Sequence, residues 1–288
     1  MKAARIISFF IVFLMTGTAF SQVRDSVPLV IADSLKEIFI YADTGKALNR
    51  VDAQGRKQGL WEKRYPNGKL RYRGHFLNDN PTGVFKYYWD NDSIQNIAIY
   101  SNYGKWAYSQ MFYINGGLLS TGKFVSQKRD SIWLFYDEGF KLYKKEQYAL
   151  GKKEGKSLVF YSNGNLGDSK NWHNDLENGP WLAYYEDGKL RIEASYLNGK
   201  MEGEFRLYSD GNDYPIVMGR YRNDNKDGRW IYRNTEKNKV DTLIYKNGDL
   251  LNADKYKFTQ HKLDSMRIQS EPTQEKLDHP GDDGGIGR

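Results

Sequence analysis

The chain has 288 residues, of which 43 are Phe, Trp or Tyr and 28 are Gly, and its mean hydropathy is −0.76. So many rings exclude a disordered chain, and a single near-continuous apolar segment excludes a protein with several membrane spans. The net charge of +7 comes from basic and acidic residues interspersed without a dense basic block, so we expect no nucleic-acid partner.

The first 21 residues have the pattern of an export signal. Lys2 and Arg5 form a positive end, a largely apolar stretch covers 6–15, and the small-x-small site Ala19-Phe20-Ser21 precedes Gln22. Ten such residues are too few to span a bilayer as a helix. We expect cleavage and export to the periplasm, the cell surface or the medium, not an integral membrane protein; an N-terminal anchor or a buried strand is the alternative.

Residues 22–58 are expected to form an N-terminal capping segment, which contains the apolar runs 29–31 and 38–41. The chain contains no Cys, so neither a lipid-modified N-terminal Cys nor a disulfide is available to it. We therefore expect packing and backbone pairing to stabilise the fold without covalent cross-links.

A repeat of 24 residues organises the chain between 59 and 250. Segments that begin at Gly59 and Gly179 match over twenty residues, and their offset of 120 is five times 24. Filling in this period gives eight units, numbered one to eight, that begin at Gly59, Gly83, Ala107, Ser131, Gly155, Gly179, Gly203 and, after a spacing of 25, Gly228.

Each unit has the pattern of two short strands joined by a tight turn. Pairs such as Asn67-Gly68 and Asp187-Gly188 stand at the first turn, where they supply the positive φ values of a hairpin. In units four and seven this turn is expected one residue earlier, at Asp137-Glu138-Gly139 and Ser209-Asp210-Gly211.

The second strand carries an aliphatic residue and, six positions later, an aromatic one, as in Leu70 and Phe76. An even spacing places both on one face of a strand. The sequence thus predicts an all-β fold, an elongated twisted array of antiparallel β-hairpins in which each repeat contacts its neighbours. Residues 251–270 are expected to form a C-terminal cap with a short helix, and 271–288 a flexible tail.

Two units carry a resemblance to a known family: Gly59-Leu60-Trp61 with Tyr65 and Asn67-Gly68-Lys69-Leu70, and Gly179-Pro180-Trp181 with Tyr185 and Asp187-Gly188-Lys189-Leu190. These residues resemble the variant MORN repeats of YwqK-type bacterial proteins. The resemblance implies an antitoxin of a toxin–antitoxin pair, and MORN repeats more widely imply protein contacts and phospholipid binding.

Side chains suited to catalysis are sparse. The only histidines are His75, His173, His261 and His279, and the first two lie four units apart, roughly 40 Å at the usual strand spacing. The sequence has no zinc-protease, nucleophile-elbow or phosphate-loop motif. We expect no enzyme activity, no catalytic residue, no cofactor and no metal.

Two aromatic rows repeat along the chain. The third residue of each unit, here called the ring position, is Trp61, Phe85, Ser109, Trp133, Ser157, Trp181, Phe205 and Trp230. Three residues later stands a second row, here called the strip: Tyr88, Phe112, Tyr136, Phe160, Tyr184 and Tyr208. An odd offset places the rows on opposite faces. The strip is the candidate binding surface, able to stack on sugars, hold a peptide or receive an apolar partner; alternatively, both rows are structural.

Three functions fit these observations. The leading hypothesis is an exported, non-enzymatic interaction module that binds another protein through its repeats. The second is an antitoxin or immunity protein, as the resemblance implies. The third is binding of an envelope glycan or phospholipid through the strip and the scattered Lys and Arg residues.

Overall fold

The computed structural model describes residues 47–211, 213–234 and 238–252. The expected signal, most of the N-terminal cap, most of the C-terminal cap and the tail lie outside these residues. The strands are β1 Arg50–Val51, β2 Lys57–Arg64, β3 Leu70–Leu77, β4 Asn80–Tyr88, β5 Ile94–Tyr100, β6 Trp106–Phe112, β7 Leu118–Val125, β8 Lys128–Tyr136, β9 Leu142–Ala149, β10 Lys152–Phe160, β11 Leu166–His173, β12 Leu176–Tyr184, β13 Leu190–Leu197, β14 Lys200–Met201, β15 Gly203–Tyr208, β16 Pro215–Arg222, β17 Asn225–Asn234, β18 Lys239–Lys246 and β19 Asp249–Leu250, with a 3₁₀ turn at Asn102–Gly104.

The strands form one open antiparallel sheet in which neighbours in sequence are neighbours in space. β14 and β15 are two pieces of one strand, interrupted at Glu202, and both pair with β13. Each unit contributes a hairpin, and the strands contact chiefly the strands before and after them. This arrangement confirms the predicted all-β array of hairpins.

The two kinds of turn differ in their backbone geometry. Between units, both residues of a two-residue turn have positive φ, as in Asn78 (51°) and Asp79 (66°), which matches the hairpin twist. In the first turn of unit one, Gly68 (82°) has a positive φ and Asn67 does not, and the Asn67 Oδ1 atom accepts the Lys69 N–H at 3.1 Å. The expectation of a positive φ at Asn67 is therefore wrong, because a bulge at the end of β2 forms a longer turn that needs one left-handed residue.

The first turn of unit four lies where it does in the other units. The Asp137 N–H donates to the Lys141 carbonyl at 2.9 Å, and Phe140 takes the left-handed position with φ of 65°. The prediction of an earlier turn at Gly139 is wrong for this unit. Unit seven instead has one extra residue in its first turn. Its strip residue Tyr208 pairs with Pro215, whereas the strip residue of unit six, Tyr184, pairs with Leu190, which is one position closer along the chain.

The ring positions lie on one face of the sheet, here called the core face. Trp133 and Trp230 are 0% exposed, and Phe85 and Phe205 are 1% exposed. They are buried because each ring lies flat against a small residue of the preceding unit. A Cβ atom added to Gly122 would lie 2.3 Å from the Trp133 ring, and one added to Gly219 would lie 2.2 Å from the Trp230 ring.

Where a ring is missing, the small residue beneath it changes too. Ser109 pairs with Ala98, and its hydroxyl donates to the Asn96 Oδ1 atom at 2.6 Å. Ser157 pairs with Glu146, whose side chain takes the space that a ring occupies elsewhere. The neighbour in the preceding unit thus differs along the chain, and for Trp181 it is Lys170.

Substitution of Gly122 by Ala tests this contact. Because the new methyl group overlaps the Trp133 indole, we expect a loss of roughly 1–3 kcal/mol in the free energy of unfolding. Chemical denaturation followed by tryptophan fluorescence measures it. The control is Gly139→Ala, since Gly139 is exposed, lies outside the left-handed region and faces only the Asp137 side chain at 3.3 Å. Equal denaturation midpoints for the two variants would contradict a direct contact between Gly122 and the Trp133 ring.

Candidate functional site

Cations cover many of the rings on the core face. Four residues before each ring position stands a residue here called the lid, which is Lys57, Pro81, Lys105, Arg129, Lys153, Glu177, Met201 or Lys226. Four of these cations lie over rings: Lys57 4.9 Å from Trp61, Arg129 4.9 Å from Trp133, Lys153 4.6 Å from Trp172 and Lys226 4.6 Å from Trp230. The aliphatic stems shield the rings while the charges interact with their π-faces.

Charged side chains replace rings in the middle of the core face. The Glu146 carboxylate, 2% exposed, accepts from the Tyr148 hydroxyl at 2.5 Å and pairs with Lys153 Nζ at 2.8 Å. Lys170 Nζ pairs with Glu177 at 2.6 Å. These ion pairs separate two buried apolar clusters, one from Met111 to Tyr148 and one from Trp181 to Tyr245.

Burial raises the pKa of two groups in this region, Asp168 and Tyr148. Burial raises the pKa of the Asp168 carboxyl, and the hydrogen bond that it accepts from Trp181 Nε1 at 2.8 Å opposes that rise. Burial also raises the pKa of the Tyr148 hydroxyl, as does its hydrogen bond to Glu146. The carboxylates of Asp168, Glu146 and Glu177 thus have hydrogen-bond or ion-pair partners within the sheet.

Every residue of the strip is the last residue of the first long strand of its unit. Tyr136 is buried, at 6% exposure, and the other five are half-buried. The strip lies on the face opposite the rings, here called the outer face: charges on Arg73 and Glu62 act on the Tyr88 hydroxyl, whose pKa burial raises, and the Tyr208 hydroxyl lies 3.5 Å from Glu193. These six side chains are therefore spread over consecutive units and do not converge on one point.

Sequence reasoning missed a third aromatic row, one residue beyond the strip. In four units this residue is a Tyr whose hydroxyl donates to the backbone carbonyl of the strip residue in the next unit: Tyr65 to Tyr88 at 2.7 Å, Tyr113 to Tyr136 at 2.9 Å, Tyr161 to Tyr184 at 2.8 Å and Tyr185 to Tyr208 at 2.7 Å. The repetition of Tyr was visible in the sequence, but its partner 23 residues away was not. These bonds hold consecutive units together.

The outer face also carries aliphatic residues. In units four, five and six, the residue after the ring position is Leu134, Leu158 or Leu182, each half-buried. Strand pairing joins them into one line, because Lys145 lies between the first two and Ser169 between the last two. Units one to three have Glu62, Lys86 and Gln110 at this position. Three aliphatic side chains thus lie in one line in the middle of the outer face.

The described residues contain no cluster of His, Asp or Glu that could hold a metal ion. Among the same residues, no helix has the length and apolar character needed to cross a membrane.

Two segments of the chain match the MORN repeat variant family, residues 57–78 and 177–198. They are the hairpins β2–β3 and β12–β13, and they include Trp61 and Trp181 together with Tyr65 and Tyr185. Two of the eight units thus match a MORN-type repeat. Such repeats commonly take part in protein or membrane interactions.

No curated protein matches the chain. Among solved structures, a chain of the "Crystal Structure of TcdB2-TccC3-Cdc42" is similar at 10% identity and a TM-score of 0.20, over 67% of this chain and 14% of that chain. The present chain therefore spans a small part of that protein. At this score the likeness carries no argument.

Replacing Tyr161 by Phe removes the hydroxyl that bonds the Tyr184 carbonyl and nothing else. We expect a loss of about 0.5–1.5 kcal/mol in the free energy of unfolding, because a half-buried carbonyl loses its donor. Tyr184→Phe is the matched control, since no hydrogen bond of the Tyr184 hydroxyl is found among the described residues. Denaturation midpoints compare the two, and an equal or larger loss for Tyr184→Phe would refute the bridging role of Tyr161.

Proposed function

We propose that this chain is an exported, non-enzymatic interaction module that binds another protein through the outer face of units four to six. The observation that carries the proposal is the line Leu134, Leu158 and Leu182 on a face that the ring stacks do not occupy. Apolar side chains grouped on an accessible face are typical of protein interfaces.

The strip completes this surface. Tyr136, Phe160 and Tyr184 belong to the same three units, and half-buried rings such as Phe160 and Tyr184 supply contact area at a low entropic cost. Beyond Leu182 the line continues to Glu193 and Arg206, whose charges supply a polar rim at that end. The core face is less suited to a large partner, since lids and ion pairs already cover much of it.

An antitoxin or immunity role is the more specific form of this proposal. It rests on the resemblance of the repeat units to YwqK-type proteins, and it requires that the bound partner be a toxin. Phospholipid binding is the other interaction associated with such repeats.

Affinity capture from an envelope extract of the source organism tests the proposal, with the full chain and its Leu158→Lys variant as baits. We expect a protein to bind the native chain stoichiometrically and to bind the variant at least about tenfold more weakly, because a desolvated contact is replaced by a charge. A captured protein that is toxic alone and harmless with this chain would identify an antitoxin.

The control variant is Lys86→Gln, which changes the equivalent position of unit two and should leave capture unchanged. Circular dichroism of both variants confirms that they are folded. Capture that Lys86→Gln weakens as much as Leu158→Lys, or the absence of any retained protein, would contradict binding through the middle of the outer face.

Export is the second part of the proposal, and its support is the pattern of residues 1–21. Expressed in a bacterial host, the protein should be recovered from the envelope or the medium with an N-terminus at Gln22. N-terminal sequencing measures this directly. A product that keeps Met1 and stays in the cytoplasm would contradict export.

A further inference from the structure

A cleft of about 560 Å³ opens on the core face over units one to three. Its volume lies in the range of about 300–1,000 Å³ that small-molecule sites occupy. Its lining includes Pro81, the lid of unit two, which is too short to cover the rings and packs instead beside Gly104.

Aromatic side chains form one wall of the cleft. Phe85 is buried, while Tyr87 and Tyr100 are half-buried and lie 6.0 Å and 5.1 Å from it between ring centroids. The two tyrosine hydroxyls lie 3.1 Å apart. Burial raises the pKa of both, so they stay neutral and present hydroxyl groups beside apolar ring faces.

Positive charge lines the same cleft. Lys63, Arg71 and Lys105 border it, against one acid, Asp79, whose carboxylate accepts the Lys57 N–H at 2.8 Å. In contrast to the lids that lie over rings, Lys63 and Lys105 make no ion pair, side-chain hydrogen bond or ring contact within the part of the chain that the structure describes. Two cations are thus available for an anion that enters the cleft.

We propose that this cleft binds a short oligosaccharide that carries carboxylate groups. The apolar face of a sugar ring fits an aromatic wall, and its hydroxyls fit the side-chain amides of Gln95 and Gln127, which also line the cleft. Lys63 and Lys105 pair with the carboxylates.

Other anions fit less well. A lipid tail requires a wholly apolar pocket, and this one alternates rings with amides and charges. An extended acidic peptide needs partners for its backbone N–H and C=O groups, and a sheet face offers side chains only. The proposal concerns the core face and stands apart from the outer-face function.

Isothermal titration of the full chain with trigalacturonic acid and with a trimer of sialic acid tests the proposal. We expect at least one of them to bind with unit stoichiometry, and the neutral trisaccharide maltotriose to bind more weakly. The double variant Lys63→Gln, Lys105→Gln should weaken binding at least about tenfold without loss of fold. The control is Lys200→Gln, Lys246→Gln, which removes two exposed charges away from the cleft.

A fluorescence change of the native chain on binding, lost when Trp106 at the cleft is replaced by Phe, would locate the ligand. The proposal is overturned if neither acidic trisaccharide binds, or if both double variants weaken binding equally. It is also overturned if hexaglutamate or anionic phosphatidylserine vesicles bind as well as the sugars do, since charge alone would then explain the affinity.

Discussion

The contact between an aromatic ring and the small residue beneath it determines how this sheet is built. Within the described residues the hairpins form a single layer, so the apolar side chains of the core face bury one another there. Trp133 on Gly122 and Trp230 on Gly219 achieve this, because the absent Cβ lets the indole lie directly on the backbone of the preceding unit. Burial is then shared between neighbours, and one unit alone cannot supply it. The tyrosine hydroxyls that bridge consecutive units, such as Tyr161 to the Tyr184 carbonyl, reinforce the same dependence with directional bonds.

Loss of a ring has two different outcomes along the chain, and the neighbouring residues decide which. At Ser157 the space is filled by charges, with Glu146 paired to Lys153 and Lys170 paired to Glu177. Burying an ion pair gives less stability than burying a ring, because desolvation opposes the attraction. At Ser109 the neighbour is Ala98, and the Ser109 hydroxyl donates to the Asn96 Oδ1 atom at 2.6 Å. The cleft is lined by Pro81, which stands where several other units have a cationic lid. The outer face has its own gradient, from charged at Glu62 and Lys86 to apolar at Leu134 and Leu158. Candidate binding regions on both faces therefore arise from departures from the repeat.

Much of the fold could be predicted from the sequence, since a strict 24-residue period with two turn signals per unit specifies hairpins. The placement of the ring positions and the strip on opposite faces could be predicted, because an odd number of positions separates them along a strand. Two predictions about turns were wrong, because turn propensity alone does not determine the turn. Asn67 has a negative φ because a bulge lengthens the first turn of its unit. Phe140 occupies the left-handed position that glycine occupies in other units. The cleft and the lids could not be predicted, because both depend on how one unit packs on the next. Lys57 and Arg129 were visible as basic residues four positions before a ring, but their place over the rings depends on side-chain packing between strands.

A double-mutant cycle between Gly122 and Trp133 tests the central contact most directly. Gly122→Ala, Trp133→Leu and the double variant would be compared with the native chain by chemical denaturation. Overlap with the indole predicts that Gly122→Ala destabilises the native background by about 1–3 kcal/mol and has little effect once Trp133 is Leu. An equal loss in both backgrounds would mean that the glycine is needed for its backbone alone, and that a ring on a small residue is not what joins the units.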